Sequence, residues 1–258
     1  MGNFLVVSKA DKLEEYKKNA EEYGVSYEIN DFFIPSLLDD EKKQEEIIQT
    51  YLKSGIPQGS TMHGAFFDVA VFSQDEKIRN VSQLRMQQSM QIAEKLGVKG
   101  VVFHTNHNPY LSSKAYKEHL IAATAEYVSE LLQQYPNIEI YMENMFDTTP
   151  DILHGISKRL EQYKNFGVCL DWAHVNVYGQ EKTAWIDRLG SYVKHIHIND
   201  NDLKEDLHLP IGDGVLDWEQ FFEYYNRYFK NCSVLIETTE PLAQRKSLEY
   251  IKKYVDHK

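Results

Sequence analysis

The unit from which the whole chain is built can be read in RMQQSMQIAEKLGVKGVVFH, residues 85–104. Its apolar positions from Met86 to Leu96 recur mostly at spacings of three and four, which predicts one buried helical face. Gly97 is typical of a helix end, and a β-type run that closes on His104 follows at once. The stretch therefore predicts a helix that leads directly into a strand.

The same alternation continues along all 258 residues, without a linker, an internal repeat or a low-complexity tract. Strands that alternate with helices favour a parallel sheet. Eight such units in a chain of this length favour one α/β domain over residues 1–258, a single (β/α)₈ TIM barrel. The expected strands are Phe4–Val7, Val25–Ile29, Thr61–His63, Val98–His104, Ile138–Glu143, Gly167–Asp171, Val193–Ile198 and Val234–Glu237. The expected helices are Ala10–Tyr23, Leu37–Lys53, Ile78–Leu96, Ala115–Tyr135, Pro150–Tyr163, Thr183–Leu189, Trp218–Phe229 and Pro241–Val255.

Two helix starts carry capping residues. Thr149 stands before Pro150, which predicts a capping hydroxyl followed by proline at the first helical position. Asp217 is expected to cap the helix that begins at Trp218.

Composition narrows the class of protein. Asp and Glu outnumber Lys and Arg by 39 to 28, so the formal net charge is −11. Because counterion release by Lys and Arg drives binding to phosphate backbones, this charge argues against nucleic acid as a partner. Two cysteines in apolar runs, Cys169 and Cys232, exclude a disulfide scaffold and predict buried thiols.

No membrane segment is expected, because no apolar run approaches the length that crosses a bilayer. The start, MGNFLVVSKA, has no basic region ahead of an apolar one, as a signal peptide would. The expected location is the cytoplasm. The oligomeric state stays open, with a homodimer as one outcome.

The chemistry of a barrel enzyme is expected where the strands run into the loops that follow them. Six consecutive strands end in metal-ligand residue types, namely His63, His104, Glu143, Asp171, His197 and Glu237. Three more candidates follow in the loops, namely His174, Asp206 and His208. Taken singly, each is more often a hydrogen-bonded core residue, a cap or an ion-pair partner.

Taken together, these residues predict a metal site. Several like charges brought close together are costly unless a cation neutralises them. Mixed histidine and carboxylate ligands suit Zn²⁺ or Mn²⁺ better than Ca²⁺ or Mg²⁺. The expected cofactor is therefore a divalent metal ion, Zn²⁺ or Mn²⁺.

Alternation along the strands predicts which side chains fill the barrel. If the strand-end ligands point inward, so do the residues two and four positions before them. That set is Thr61, Gly100, Val102, Glu139, Tyr141, Gly167, Cys169, Val193, His195, Ser233 and Leu235. The charged Glu139 is expected at the lower rim in contact with water, and His195 in an interior layer. The remaining histidines, His107, His119, His154 and His257, are interpreted as structural or surface residues.

Three motifs carry a likeness to a known group. FGVCLDWAH at 166–174, HIHIND at 195–200 and DLHLPIGDG at 206–214, in this order, resemble the xylose-isomerase-like barrel superfamily. That group includes endonuclease IV, the ketose 3-epimerases, inosose dehydratases and many proteins called sugar phosphate isomerases/epimerases. The likeness extends over nearly the whole chain but does not specify the reaction.

The resemblance implies two different ligand sets. In the epimerase branch one divalent ion is held by four residues, which correspond to Glu143, Asp171, His197 and Glu237. In endonuclease IV three zinc ions use nine ligands, which correspond to His63, His104, Glu143, Asp171, His174, His197, Asp206, His208 and Glu237. All nine positions are filled, as they also are in many sugar-isomerase-like relatives.

The loops favour a small substrate over DNA. Residues 198–216 contain five acidic residues and one basic residue, Lys204, whereas a nuclease needs Arg and Lys to hold a duplex. Aromatic residues in the loops suit the apolar face of a polyol, namely Phe66, Phe67, Phe72, Tyr110, Phe146, Trp172 and Tyr178. No basic or glycine-rich phosphate cradle stands out, which favours a free sugar or polyol over a sugar phosphate.

The expected function is a divalent-metal-dependent sugar isomerase or epimerase that acts on a small sugar, sugar phosphate or polyol. The ion would stabilise an enediolate as a Lewis acid, with Glu143 and Glu237 as catalytic acid and base. The alternative is an endonuclease IV-like zinc phosphodiesterase that acts on abasic DNA. A third hypothesis is a barrel that binds a ligand without turning it over.

Overall fold

The computed structural model describes residues 1–255, which form the expected (β/α)₈ TIM barrel. Eight parallel strands close into a ring in chain order, and the last strand pairs with the first. The strands are β1 Phe4–Ser8, β2 Ser26–Ile29, β3 Thr61–His63, β4 Gly100–His104, β5 Glu139–Glu143, β6 Phe166–Asp171, β7 Val193–Ile198 and β8 Ser233–Ile236. Because all eight run in parallel, their C-terminal ends lie on one rim of the barrel.

Helices separate consecutive strands and pack against the outside of the ring. The α-helices are α1 Leu13–Tyr23, α2 Pro35–Leu38, α3 Glu41–Ser54, α4 Glu76–Leu96, α5 Lys114–Gln134, α6 Asp151–Leu160, α7 Trp172–Val177, α8 Lys182–Leu189, α9 Trp218–Tyr224 and α10 Pro241–Val255. A 3₁₀-helix, Ala10–Lys12, precedes α1, and a π-helical turn, Tyr225–Phe229, follows α9. Among residues 1–255, no helix is both long and apolar enough to cross a membrane.

Of the three helix boundaries predicted from capping residues, two are confirmed and one is wrong. Helix α4 is terminated by Gly97, which directly follows Leu96 and has a φ of 68°, the left-handed conformation that glycine adopts without strain. Asp217 caps α9 by accepting a hydrogen bond from the main-chain N–H of Gln220. Helix α6, however, begins at Asp151 with Pro150 as its cap residue. The Thr149 hydroxyl donates to the Asp151 carboxylate instead of capping the helix.

The barrel interior agrees with the predicted alternation along most strands. One interior cluster joins Val102, Tyr141 and Cys169, and another joins Leu235 with residues of β1. Cys169 and Cys232 are both buried and free. As predicted, Glu139 is only partly buried; it lies at the lower rim, at the start of β5.

The prediction for Val193 is wrong because β7 contains a register shift. Val193 pairs with Val168 and joins the outer apolar cluster, whereas His195 pairs with the inward-facing Cys169. One extra residue, Lys194, therefore interrupts the alternation of β7. Its ammonium lies 3.4 Å from Glu139 Oε2, so it neutralises the acid at the lower rim of the barrel.

Candidate metal centre

The nine predicted ligands come together at the C-terminal rim. Their network is centred on the buried carboxylate of Glu143, at the end of β5. Its oxygens lie 3.2 Å from a ring nitrogen of His104, 3.3 Å from His197, 3.6 Å from His63 and 3.8 Å from His174. A cavity of about 450 Å³ lies over this network.

The deepest group of possible ligands comes from β5, β6 and β7. Glu143, Asp171 and His197 each offer one ligand atom, and these atoms lie within 4.8 Å of one another. Glu237, just after β8, adds its Oε2 at 3.6 Å from His197 Nδ1. Asp171 is held in place because it also caps α7 by accepting from the main-chain N–H of His174. Glu143, Asp171 and His197 could together hold one ion, and Glu237 lies beside them next to His197.

A second group shares Glu143 with the first. His63 at the end of β3 and His104 at the end of β4 offer ligand atoms within 4.8 Å of each other and of a Glu143 oxygen. The two imidazole rings meet edge to face, with centroids 5.0 Å apart. Glu143 could therefore contribute a ligand atom to both groups.

A third group lies towards the mouth of the cavity. Asp206 Oδ2 lies 3.2 Å from His174 Nε2 and 2.8 Å from His208 Nε2. His174 comes from α7, whereas Asp206 and His208 belong to the loop after β7. The loop is anchored at its base by an antiparallel bridge between Asp200 and Leu209.

The buried oxygens of this network fit a cation. Glu143 Oε2, Asp171 Oδ2 and Glu237 Oε2 are buried and have no hydrogen-bond partner among the described residues. A buried carboxylate oxygen without a partner is costly. These oxygens lie among imidazole nitrogens, and a donor set of this kind is one that divalent ions such as Zn²⁺ or Mn²⁺ would satisfy.

The titration of these groups also calls for positive charge. Burial, together with the carboxylates of Glu237 and Glu143, raises the pKa of Asp171 to about 8, although His174 opposes the shift. Burial would lower the pKa of His208, but the carboxylates of Glu237 and Asp206 raise it to about 10. The acids therefore require compensating charge. Protonated imidazoles can provide this positive charge in the metal-free protein. When the imidazoles are neutral, a divalent ion would provide it.

Hydrogen bonds to main-chain carbonyls orient three of the histidines. The Nδ1 atoms of His63, His174 and His208 lie 3.0, 2.8 and 2.9 Å from the carbonyl oxygens of Gly64, Asn144 and Glu237. With Nδ1–H donating to a carbonyl, Nε2 is free to bind a metal, and in each residue Nε2 faces a carboxylate of the network.

One buried acid next to the centre was missed by sequence reasoning. Glu28 lies inside the barrel on β2 and is fully buried. Its carboxylate contacts Thr61, His195 and His197. Burial alone would raise the pKa of Glu28, but the charge of His197 and hydrogen bonds from both histidines lower it. The sequence feature that could have revealed it is the position of Glu28 as the one charged residue within the predicted strand Val25–Ile29.

A grouping of Cys169, His195 and His197 lies below the centre. Both ring nitrogens of His195 already have partners, at 2.6 Å from Ser233 Oγ and 3.1 Å from Glu28 Oε2. His195 therefore serves as the interior layer residue that its position predicted.

The wall of the cavity contains fewer aromatic residues than the sequence suggested. Phe66 and Phe67 line it, and Phe33, which was not predicted, packs on Phe66 with ring centroids 5.0 Å apart. Trp172 is buried against Phe221 instead. The other four predicted aromatics are not among the residues that line the cavity, namely Phe72, Tyr110, Phe146 and Tyr178.

The remaining histidines have structural surroundings. His107 is buried, with Nδ1 3.2 Å from Asp147 Oδ1. His119 bonds the carbonyl of Phe72, and His154 lies beside Arg188. His257 lies outside the described residues.

Known proteins share this barrel. The chain is 27% identical to an uncharacterized protein of Methanocaldococcus jannaschii, MJ1311, over 205 residues, 76% of this chain and 69% of that protein. The TTHB071 protein from Thermus thermophilus, whose structure was determined with ZnCl₂ soaking, is similar with a TM-score of 0.80 and 18% identity over 99% of both chains. A D-tagatose 3-epimerase-like protein matches with a TM-score of 0.79 and 22% identity, over 98% of this chain and 97% of that one.

A more distant neighbour has a different activity on the same fold. Endonuclease IV from Thermus thermophilus matches with a TM-score of 0.67 and 15% identity, over 99% of this chain and all (100%) of that one. At these identities the likenesses establish the fold and not the reaction. The family model for the xylose isomerase-like TIM barrel matches residues 3–254, so this chain belongs to that family.

Proposed function

We propose that the protein is a divalent-metal-dependent isomerase or epimerase of a small sugar or polyol. One observation carries the proposal: a cavity of about 450 Å³, with phenylalanines on its wall and unpartnered carboxylate oxygens at its floor. Such a volume suits one small molecule. The D-tagatose 3-epimerase-like neighbour, which has the same fold, supports this choice of chemistry.

The catalytic pair would be Glu143 and Glu237. They approach His197 Nδ1 from β5 and from the end of β8, at 3.3 and 3.6 Å. The Glu143 side chain is 1% exposed and that of Glu237 14% exposed, so Glu237 is the more accessible to a substrate. A bound divalent ion would supply Lewis-acid stabilisation of charge on the substrate oxygens. Glu237 Oε2 would remove a proton from the substrate carbon, and Glu143, which must enter the step in its protonated form, would return one.

The remaining walls would bind hydroxyl groups. Lys9 is the only Lys or Arg among the described residues that line the cavity. Asn30 lies on the same wall, and its Oδ1 is buried without a described hydrogen-bond partner. One lysine without a cradle of backbone N–H groups favours a neutral sugar or polyol over a phosphorylated one.

The experiment that tests this proposal is a screen of aldoses, ketoses and inososes with Mn²⁺ or Zn²⁺ in D₂O. A substrate whose carbon-bound hydrogen exchanges for deuterium during turnover is the expected result. The Glu237→Gln variant should lose this exchange, whereas Asp202→Asn, an exposed acid of the loop after β7, should keep it. Retained exchange in Glu237→Gln would refute the assigned role.

A second candidate function is a zinc phosphodiesterase of the endonuclease IV kind. It is favoured by the third ligand group, His174, Asp206 and His208, which a one-ion epimerase would not require. Metal content per chain separates the two candidates. About one equivalent supports the isomerase. About three equivalents of zinc, with chelator-sensitive cleavage of an abasic duplex, would put the phosphodiesterase first.

A further inference from the structure

Glu28 lies directly beneath the proposed metal centre and has no assigned role in it. Its side chain is fully buried in the barrel interior, so water does not compensate its charge. Thr61 Oγ1 donates to Oε2 at 2.7 Å, and His195 Nε2 lies 3.1 Å from the same oxygen. These two contacts hold the carboxylate from one side and leave Oε1 for a different partner.

Oε1 faces His197. Glu28 Oε1 lies 3.2 Å from His197 Nε2, on the side of the ring away from the cavity, and both atoms are buried without an aligned hydrogen bond to any described residue. The opposite nitrogen, Nδ1, lies 3.3 Å from Glu143 Oε1 and 3.6 Å from Glu237 Oε2. The two nitrogens of one imidazole therefore face two different sets of acids, of which only the upper pair belongs to the ligand set.

His197 is oriented in the opposite sense to its neighbours. In His63, His174 and His208, a main-chain carbonyl faces Nδ1 and leaves Nε2 for a ligand contact. In His197, Nδ1 faces the centre, and a side chain, Glu28, takes the place of the carbonyl at Nε2. A metal-binding histidine normally donates its second N–H to such an acceptor, which selects the tautomer.

We infer that Glu28 is a positioning residue that accepts the Nε2–H of His197 and thereby directs Nδ1 to the metal. The inference rests on the metal centre of the proposed function, but not on the identity of the reaction. It deepens that proposal by extending the centre one layer into the barrel. Glu28 is not among the described residues that line the cavity, so we assign it no contact with a substrate.

The direct test uses the wild-type protein, labelled with ¹⁵N-histidine and loaded with ¹¹³Cd²⁺. Coupling between cadmium and His197 Nδ1, with a proton on Nε2, is the expected result. Coupling to Nε2 would overturn the inference, whatever happens to any variant.

Three variants then separate positioning from folding. Removing an outer-shell acceptor typically weakens metal binding about 10- to 100-fold, so Glu28→Leu should raise the Kd for Zn²⁺ by that factor. Glu28→Gln keeps an acceptor oxygen, and it should restore coupling through Nδ1 and most of the affinity. Thr61→Val removes one of the two contacts that hold Glu28 but leaves the contact with His197, so its Kd for Zn²⁺ should rise less than that of Glu28→Leu.

The outcomes distinguish this inference from the proposed function. An unchanged Kd in a folded Glu28→Leu protein would overturn it. Nδ1 coordination without turnover of any sugar would refute the proposed function and leave the role of Glu28 standing. A wild-type chain that binds neither Cd²⁺ nor Zn²⁺ would refute both.

Discussion

Replacing Asp200, in the loop after β7, should strongly destabilise the protein. This acid is fully buried two residues beyond the end of β7. Its Oδ2 accepts from the main-chain N–H of Gly212 and from the indole of Trp218, both at 2.8 Å. Its Oδ1 accepts from the main-chain N–H of Asn201 at 3.0 Å and of Leu216 at 3.1 Å. One carboxylate thus holds the turn from 212 to 218 against the barrel.

The magnitude follows from the donors that Asp200→Ala would leave behind. An unsatisfied buried donor costs about 1–3 kcal/mol, and a broken buried charged network about 3–5 kcal/mol. Four donors lose their acceptor, but the loop can relax and admit water to some of them. We expect the free energy of unfolding to fall by about 3–5 kcal/mol, a large part of a typical total of about 5–15 kcal/mol.

Urea denaturation of the metal-free protein, followed by far-UV circular dichroism, measures this loss. Asp202→Ala is the matched control, because Asp202 also accepts two main-chain N–H bonds, from Lys204 and Glu205, but is exposed. Asp202→Ala should lower the free energy of unfolding by less than about 1 kcal/mol. If Asp200→Ala cost no more than this control, the argument that its buried hydrogen bonds hold the loop would be wrong.

Three further predictions address the same loop and the cavity. Gly214→Ala places a Cβ 2.3 Å from Asp200 Oδ1 and 2.4 Å from the carbonyl oxygen of Asn201. It should therefore lower the free energy of unfolding by about 1–3 kcal/mol in the same urea assay. An unchanged urea midpoint would contradict this packing. Lys9→Met should raise the KM for the substrate about tenfold and affect kcat less, because it loses about 1.4 kcal/mol of charged hydrogen bonding. An unchanged KM would show that Lys9 does not bind the substrate. Excess chelator should lower the free energy of unfolding by about 2.7 kcal/mol, relative to protein in a metal concentration 100 times the Kd. Equal stability with and without chelator would argue against a specific ion.

Local sequence patterns were sufficient to predict the barrel and the candidate metal ligands at its rim. Strand, helix and glycine signals such as Gly97 act over a few residues, so they can be read without the fold. Once eight parallel strands are accepted, their C-terminal ends must meet on one rim. His63, His104, Glu143, Asp171, His197 and Glu237 were therefore predictable as neighbours, although they are distant in the chain.

Contacts across the barrel and irregularities within strands could not be predicted from local sequence patterns. Glu28 on β2 meets His197 on β7 only because the closed ring and its register bring these two non-adjacent strands face to face. Val193 faces outward, contrary to the predicted alternation, because one extra residue, Lys194, shifts the register of β7. Phe33 and Lys9 reach the cavity through the paths of their loops. The sequence by itself determined the barrel and the residues at its rim; the tertiary structure decided which interior side chains orient them, because that depends on packing between distant strands.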